Sequence, residues 1–188
     1  MKKVGLSIVG SARCNGDREK NDFYPTPEYV TEALVENVIF TGNIWECACG
    51  DGAISRVLKK THDVYSTDLI DRGYGDDIID FLNADKDLVF DNIITNPPFR
   101  FAEEFVWEAK KHARKKIALF LKTVFLEGAK RYTMFQDRKF PLSGIYQFSK
   151  RVPIYKNGEK MKNSGMIAYA WFVWDKEHTG KPTISWIL

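Results

Sequence analysis

Three short segments combine residue types that can do chemistry. The first is Asn96-Pro97-Pro98-Phe99. The two prolines have no backbone N–H and a fixed φ, so neighbouring carbonyls are left free to accept. Asn96 adds a carboxamide oxygen and Phe99 a π-face. Together they suit a planar substrate bearing an NH2 group: the amine donates to the Asn96 side chain and the Pro97 carbonyl, and the ring stacks on Phe99. The second segment is Glu46-Cys47-Ala48-Cys49-Gly50-Asp51-Gly52. Its two glycines let the chain turn sharply and let a ligand approach the main chain. Ser55 stands where a dinucleotide fingerprint needs its third glycine, and the acids Glu46 and Asp51 would repel a pyrophosphate but not a cationic ligand. The third is Asp68, 16 residues after Gly52. Its carboxylate can accept two hydrogen bonds from a ribose diol.

The elements that position these segments follow from hydrophobic periodicity. Thr26 can cap a helix with Pro27 in its first turn, and Val30, Ala33, Leu34 and Val38 then recur at helical spacing. Residues 44–49 form a short strand running into the glycine loop, and Ile54, Val57 and Leu58 mark the next helix. A second strand over 63–68 ends at Asp68. Residues 71–89 read as irregular and acidic, anchored by Asp80-Phe81-Leu82. A third strand, Ile93-Ile94-Thr95, delivers Asn96, and a helix with Ala102, Phe105, Val106, Ala109 and Ala113 on one face follows. Ile117–Leu121 is a continuous apolar run, as expected of a strand buried on both sides. A helix around 128–137 and strands at 144–149 and 167–175 complete the pattern, while 1–23 form an arm with one short strand over Leu6–Val9. The alternation predicts an α/β sheet covered on both faces, with all three chemical segments at the carboxyl ends of strands, where open α/β sheets bind ligands.

These segments resemble motifs of the class I S-adenosylmethionine-dependent methyltransferases that modify exocyclic amines. Asn96-Pro97-Pro98-Phe99 is similar to their catalytic (D/N/S)-P-P-(Y/F/W) tetrapeptide, and Glu46 to Gly52 is similar to their E-x-x-x-G-x-G cofactor loop. Tyr24-Pro25-Thr26-Pro27 looks like the upstream motif that contacts the methionine end of the cofactor. The resemblance implies ribose binding by Asp68 and adenine binding by Asp80-Phe81, beside loop contacts from Glu46, Cys47, Ala48, Gly50 and Gly52. The motif order is that of the gamma group of DNA N6-adenine methyltransferases, over roughly residues 23–128. The resemblance implies a Rossmann-like, seven-stranded, mostly parallel sheet with helices on both faces. Its one antiparallel strand would be Tyr169–Trp174. It also implies methyl transfer to adenine N6 in DNA; an RNA guanine amine, a protein glutamine amide and a non-catalytic cofactor-binding subunit are the alternatives. Gamma enzymes usually carry a target-recognition domain after the catalytic fold. Here residues 24–188 are expected to form one methyltransferase domain, which leaves room for a separate specificity subunit or a homo-oligomer.

Composition agrees with a folded domain. The chain has 188 residues, 44% of them hydrophobic and 28% charged, which excludes wholesale disorder. No apolar run approaches the roughly 20 residues that cross a bilayer, and the N-terminus is not a convincing signal peptide. Three cysteines argue against a disulfide framework and for a reducing cytoplasm. Neither the cysteines nor His62, His112 and His178 have zinc-ligand spacing. Charge divides along the chain. Residues 1–100 hold 11 Lys/Arg against 17 Asp/Glu, a net of −6, and 101–188 hold 17 against 8, a net of +9. Three basic groups stand out: Lys110 to Lys116, Lys130 to Lys139, and a loop containing Lys156, Lys160 and Lys162. The last is the expected phosphate-contacting group for a nucleic-acid partner. Trp171 and Trp174 read as core rather than base-stacking residues.

Overall fold

A computed structural model describes residues 24–154 and 167–188. The chain runs α1 (Glu28–Asn37), β1 (Ile44–Glu46), α2 (Ala53–Leu58), β2 (Val64–Asp68), β3 (Asp77–Ile78), β4 (Phe90–Thr95), α3 (Ala102–His112), β5 (Ala113–Lys122), α4 (Tyr132–Phe135), β6 (Leu142–Phe148), β7 (Tyr169–Asp175) and β8 (Thr183–Ile187). The strands form one sheet in the order β3-β2-β1-β4-β5-β7-β6-β8. β7 is antiparallel to both neighbours, β5 and β6, and the other pairings are parallel.

The alternation of side chains along each strand divides the interior into two cores, one per face. Trp45, Ile93, Ile117, Leu119, Leu121, Ala170, Phe172 and Trp174 face α3 and α4. Ile44, Ile94, Ala118, Phe120, Trp171 and Val173 face α1 and α2. Both tryptophans of β7 are fully buried, and the Trp171 indole N–H donates to the Val30 carbonyl of α1 at 2.8 Å. That bond ties α1, and the segment leading into it, to the middle of the sheet.

Several local expectations need correction. The sheet has eight strands, not seven. The additional one is β8, paired in parallel with β6 from Gly144 opposite Thr183 to Phe148 opposite Ile187. Ile184 and Trp186 of β8 are exposed, so it lacks the buried apolar pattern that marks the inner strands. β3 lies inside the stretch read as irregular; both its residues are exposed, and backbone pairing with Thr67 and Asp68 defines it. α3 ends at His112, and Ala113 opens a ten-residue β5, so Arg114, Lys115 and Lys116 lie on a strand rather than at a helix end. Pro27, not Thr26, is the N-cap of α1. The Thr26 hydroxyl is instead taken by Asn96. The strand expected over Leu6–Val9 lies outside the described residues.

Candidate functional site

The carboxyl ends of β1, β2 and β4 open onto one cleft of about 900 Å³, part of it open to solvent. Tyr24, Thr26, Glu46, Cys47, Ala48, Gly50, Asp68, Asp80, Phe81, Asn96 and Pro98 all line it, so residues as far apart in sequence as Tyr24 and Asn96 share one wall.

Asp68 organises the glycine loop. Its Oδ2 accepts the Gly50 N–H at 2.8 Å, and its Oδ1 accepts the Ile70 N–H at 3.0 Å. Each carboxylate oxygen keeps a further lone pair for a ligand. Gly50 and Gly52 adopt φ of 56° and 86°, which the turn into α2 requires. The two glycines differ in what they face. Gly50 lines the cleft and Gly52 does not. A Cβ on Gly52 would lie 2.4 Å from the Tyr74 ring, which Arg56 and Lys59 cover at 4.8 and 5.3 Å. Close approach at Gly52 is therefore to the protein's own aromatic ring rather than to a ligand.

Glu46 is buried, accepts a hydrogen bond from the Ser55 hydroxyl, and burial pushes its pKa up to about 8. Ser55 in turn contacts Ser66 Oγ at 2.7 Å. Near neutral pH Glu46 is thus chiefly the neutral acid, and the negative charge expected of it in the loop is suppressed by desolvation. Burial likewise pushes the Cys49 thiol up to about 12 and raises Cys47 well above its ordinary value. Both are inert free thiols.

Asp80 and Phe81 close the far wall. The Asp80 carboxylate accepts from Leu82 N–H at 3.2 Å and Asn83 Nδ2 at 2.7 Å. The Phe81 ring packs into the core against Trp45 at 5.1 Å and Phe105 at 4.9 Å. Leu69, Ile70, Ile79 and Leu82 add apolar surface there, and Arg72, Arg100 and Phe101 line the cleft as well. Of these seven, only Leu82 was singled out in the sequence, as part of the apolar anchor Asp80-Phe81-Leu82. Arg100-Phe101 directly continue the tetrapeptide, which was the available signal.

Asn96 sits just past the end of β4. Its Nδ2 donates to Thr26 Oγ1 at 3.0 Å and to the Tyr24 carbonyl at 3.4 Å. Its Oδ1 is buried and has no hydrogen-bond partner among the described residues. No backbone donor among the described residues takes the Pro97 carbonyl. A buried, unsatisfied amide oxygen is costly to keep, and a ligand donor is one reason to keep it.

Phe99 does not line this cleft. It borders an adjoining hollow with Leu121, Lys122, Val124 and Phe125. Tyr169 packs against it at 5.6 Å, and the Lys122 ammonium lies 4.4 Å from its ring centroid.

The basic groups diverge. Lys110 pairs with Asp137 at 2.7 Å, Lys111 with Glu108 at 2.6 Å, Lys115 with Asp91 at 3.4 Å and Lys116 with Asp175 at 2.9 Å, so much of the first group is neutralised. Arg131 donates to the Phe125 and Glu127 carbonyls. Lys156, Lys160 and Lys162 lie outside the described residues.

No family model and no curated protein matches the sequence. Solved structures do match in fold. A proposed RNA methyltransferase from Pyrococcus horikoshii superposes with a TM-score of 0.61 at 14% identity, covering 81% of this chain and 86% of that one. A modification subunit of a proposed type I restriction enzyme from Vibrio vulnificus gives 0.60 at 14% identity, over 86% of this chain but only 45% of that one. The 1,6-didemethyltoxoflavin-N1-methyltransferase of Burkholderia thailandensis, with bound 1,6-didemethyltoxoflavin and S-adenosylhomocysteine, gives 0.54 at 10% identity, over 80% and 77%. With its parallel sheet, single antiparallel β7 and cleft at the strand carboxyl ends, this chain has the Rossmann-like α/β fold of class I methyltransferases.

Proposed function

We propose that the protein is an S-adenosylmethionine-dependent methyltransferase acting on an exocyclic amine, adenine N6 in DNA. One observation carries the reading: the buried, unpartnered Asn96 Oδ1, oriented by the bonds its Nδ2 makes to Tyr24 and Thr26. A group whose donor end is committed and whose acceptor end is unmet suits a ligand N–H.

The cleft fits the cofactor by the chemistry of its lining. Asp68 offers lone pairs for a ribose diol beside the Gly50 N–H, Ile70, Ile79 and Leu82 give apolar walls for a purine, and Tyr24 and Thr26 border the end at Asn96. When bound there, S-adenosylmethionine would supply an electrophilic methyl group. The chain's own residues do the rest. An aromatic amine is a weak nucleophile because its lone pair is delocalised into the ring. Hydrogen bonds from the NH2 group to Asn96 Oδ1 and the Pro97 carbonyl draw the nitrogen towards sp³ geometry and localise that pair. They strengthen as positive charge develops on nitrogen, so they act on the transition state. Phe99 provides the stacking face that partly offsets the cost of taking a base out of a duplex, a few kcal/mol.

The Vibrio neighbour, named as a restriction-enzyme modification subunit, supports a nucleic-acid substrate, as does the net +9 of residues 101–188. The deciding experiment offers labelled S-adenosylmethionine with DNA, RNA or protein and identifies the product by mass spectrometry. N6-methyladenine in DNA is the expected product. Methylguanine in RNA or methylglutamine in protein would replace this substrate. Tight cofactor binding without transfer to any of them would overturn the enzymatic reading.

A further inference from the structure

We propose that Arg100 determines substrate class at this site: its guanidinium binds a backbone phosphate beside the target base, which selects a nucleic acid over a neutral amide substrate. The inference rests on the amine-methylation reading of Asn96 and adds to it a residue outside the tetrapeptide.

Arg100 is carried by the same rigid segment as the amine acceptors. Pro97 and Pro98 fix the chain after Asn96. The Phe101 N–H then donates back to the Pro98 carbonyl at 2.9 Å, which closes a tight turn over Phe99–Phe101. The chain from Asn96 to Arg100 spans at most about 14 Å. Nucleotides rise about 3.4 Å each along a strand, so Arg100 and the amine acceptors face the same few nucleotides. The guanidinium lies 4.5 Å from the centroid of the Phe101 ring, and that ring packs against the core on the α3 side. The ring thus holds the cation in place by stacking. None of its N–H donors meets a hydrogen-bond acceptor or a carboxylate among the described residues. Arg100 is exposed while Pro98 and Phe101 beside it are half-buried, so it lines the cleft at the mouth, where a ligand arrives from solvent.

The surrounding charge points to the anion. Asp51, Asp68 and Asp80 line the cleft together with Arg72 and Arg100. A polyanion approaching these carboxylates is repelled, and a cation at the mouth offsets that repulsion. The cofactor's own carboxylate belongs, in the proposed placement, with Tyr24 and Thr26, which are half-buried and buried. A phosphodiester remains for Arg100, and a planar guanidinium can hold two of its oxygens at once. A glutamine side chain brings an amide and no anion.

The test uses the full chain, a labelled duplex free of methyladenine, and the same duplex with neutral methylphosphonates flanking the target adenine. The variants are Arg100→Ala, Arg100→Gln and Arg100→Lys. Arg100→Ala and Arg100→Gln should raise the KM for DNA about tenfold to a hundredfold, the range for losing a hydrogen bond to a charged group, with a smaller change in kcat. The slope of binding against salt, between about 50 and 300 mM, should fall by roughly one. Arg100→Lys should restore the slope but not all of the affinity, because an ammonium lacks the fork. The methylphosphonate duplex should cost the wild type a similar factor and leave Arg100→Ala indifferent, which a merely structural role would not produce. Affinity for S-adenosylhomocysteine, measured in parallel, should be unchanged and reports folding; Gln keeps the stem on Phe101 if Ala does not fold. Unchanged KM and slope in both variants, with a wild type that methylates DNA, overturn the role of Arg100 and leave the amine-methylation reading standing. Weakened cofactor affinity with an unchanged slope overturns it as well and assigns Arg100 to the cofactor. A wild type that methylates only protein glutamine overturns the Arg100 role and the DNA substrate together.

Discussion

Replacing Asn96 separates two roles that its side chain performs at once. Asn96→Ala removes the unmet acceptor Oδ1 and also the donor that holds Thr26 Oγ1 at 3.0 Å and the Tyr24 carbonyl at 3.4 Å. Loss of a preorganised transition-state contact costs about 10²–10³ in rate. Loss of the Thr26 bond costs about 0.5–1.5 kcal/mol. Because Tyr24 and Thr26 line the cleft proposed to hold the cofactor, part of that cost should fall on cofactor affinity, which should weaken by roughly threefold to tenfold. Thr26→Val isolates the second effect: it leaves Oδ1 in place but removes the hydroxyl that orients it. Its rate should fall by about tenfold or less, with a similar loss of cofactor affinity. Asn96→Asp keeps an acceptor and can still accept from the Thr26 hydroxyl, so it should retain more activity than Asn96→Ala. The assay is single-turnover methyl transfer, with S-adenosylhomocysteine affinity determined by calorimetry for each variant. An Asn96→Ala rate equal to wild type, on a substrate wild type methylates, would refute the role of Oδ1. Unchanged cofactor affinity in both Asn96→Ala and Thr26→Val would refute the coupling through Thr26.

Asp68→Ala removes an acceptor from Gly50 and Ile70 as well as from a ribose, so calorimetry should show cofactor affinity weakened by about 1.5–3 kcal/mol. Glu46 has a folded-state pKa of about 8 against an ordinary 4.5, so between those values the folded protein holds a proton the unfolded chain has lost. Its contribution to stability is complete below about pH 4.5 and is lost as pH rises towards 8, by at most about 1.4 kcal/mol per pH unit. Glu46→Gln should flatten the difference, as read by urea denaturation at several pH values; parallel pH profiles for the two proteins would show that Glu46 titrates normally. Gly52→Ala meets both a φ of 86° and the Tyr74 ring, and should cost about 1–3 kcal/mol. Adding Tyr74→Ala should recover the steric part but not the backbone part, and strictly additive losses in denaturation would rule out the contact. Replacing Lys156, Lys160 and Lys162 together should lower the salt slope of DNA binding by up to about 2.7 while sparing cofactor affinity; an unchanged slope would remove that group from the phosphate contacts.

The parallel strands and the positions of the chemical segments were legible because they depend on local pattern. Ile117–Leu121 is apolar without interruption because β5 is covered on both faces, and the aromatic run Tyr169–Trp174 is the antiparallel strand for the same reason. Elements defined by backbone pairing escaped. β3 and β8 carry exposed side chains, and their ladders with β2 and β6 leave no periodic mark. The expected helix ran on to Ala113 and the expected strand began only at Ile117, whereas β5 opens at Ala113, because Arg114, Lys115 and Lys116 carry no apolar strand pattern.

Residue identity at the strand ends therefore determined which side chains could meet a ligand: Asp68, Asn96, the prolines and the glycine loop. Tertiary structure alone decided what each of them has left to offer. Packing neutralises Glu46 by desolvation and assigns Gly52 to Tyr74. It also spends the donor end of Asn96 on Thr26 while leaving its oxygen unmet, and sets Lys122 on the ring of Phe99. Charge state, hydrogen-bond satisfaction and ring contacts are relations between residues far apart in the chain. They exist only once the sheet has brought those residues within a few ångströms of each other.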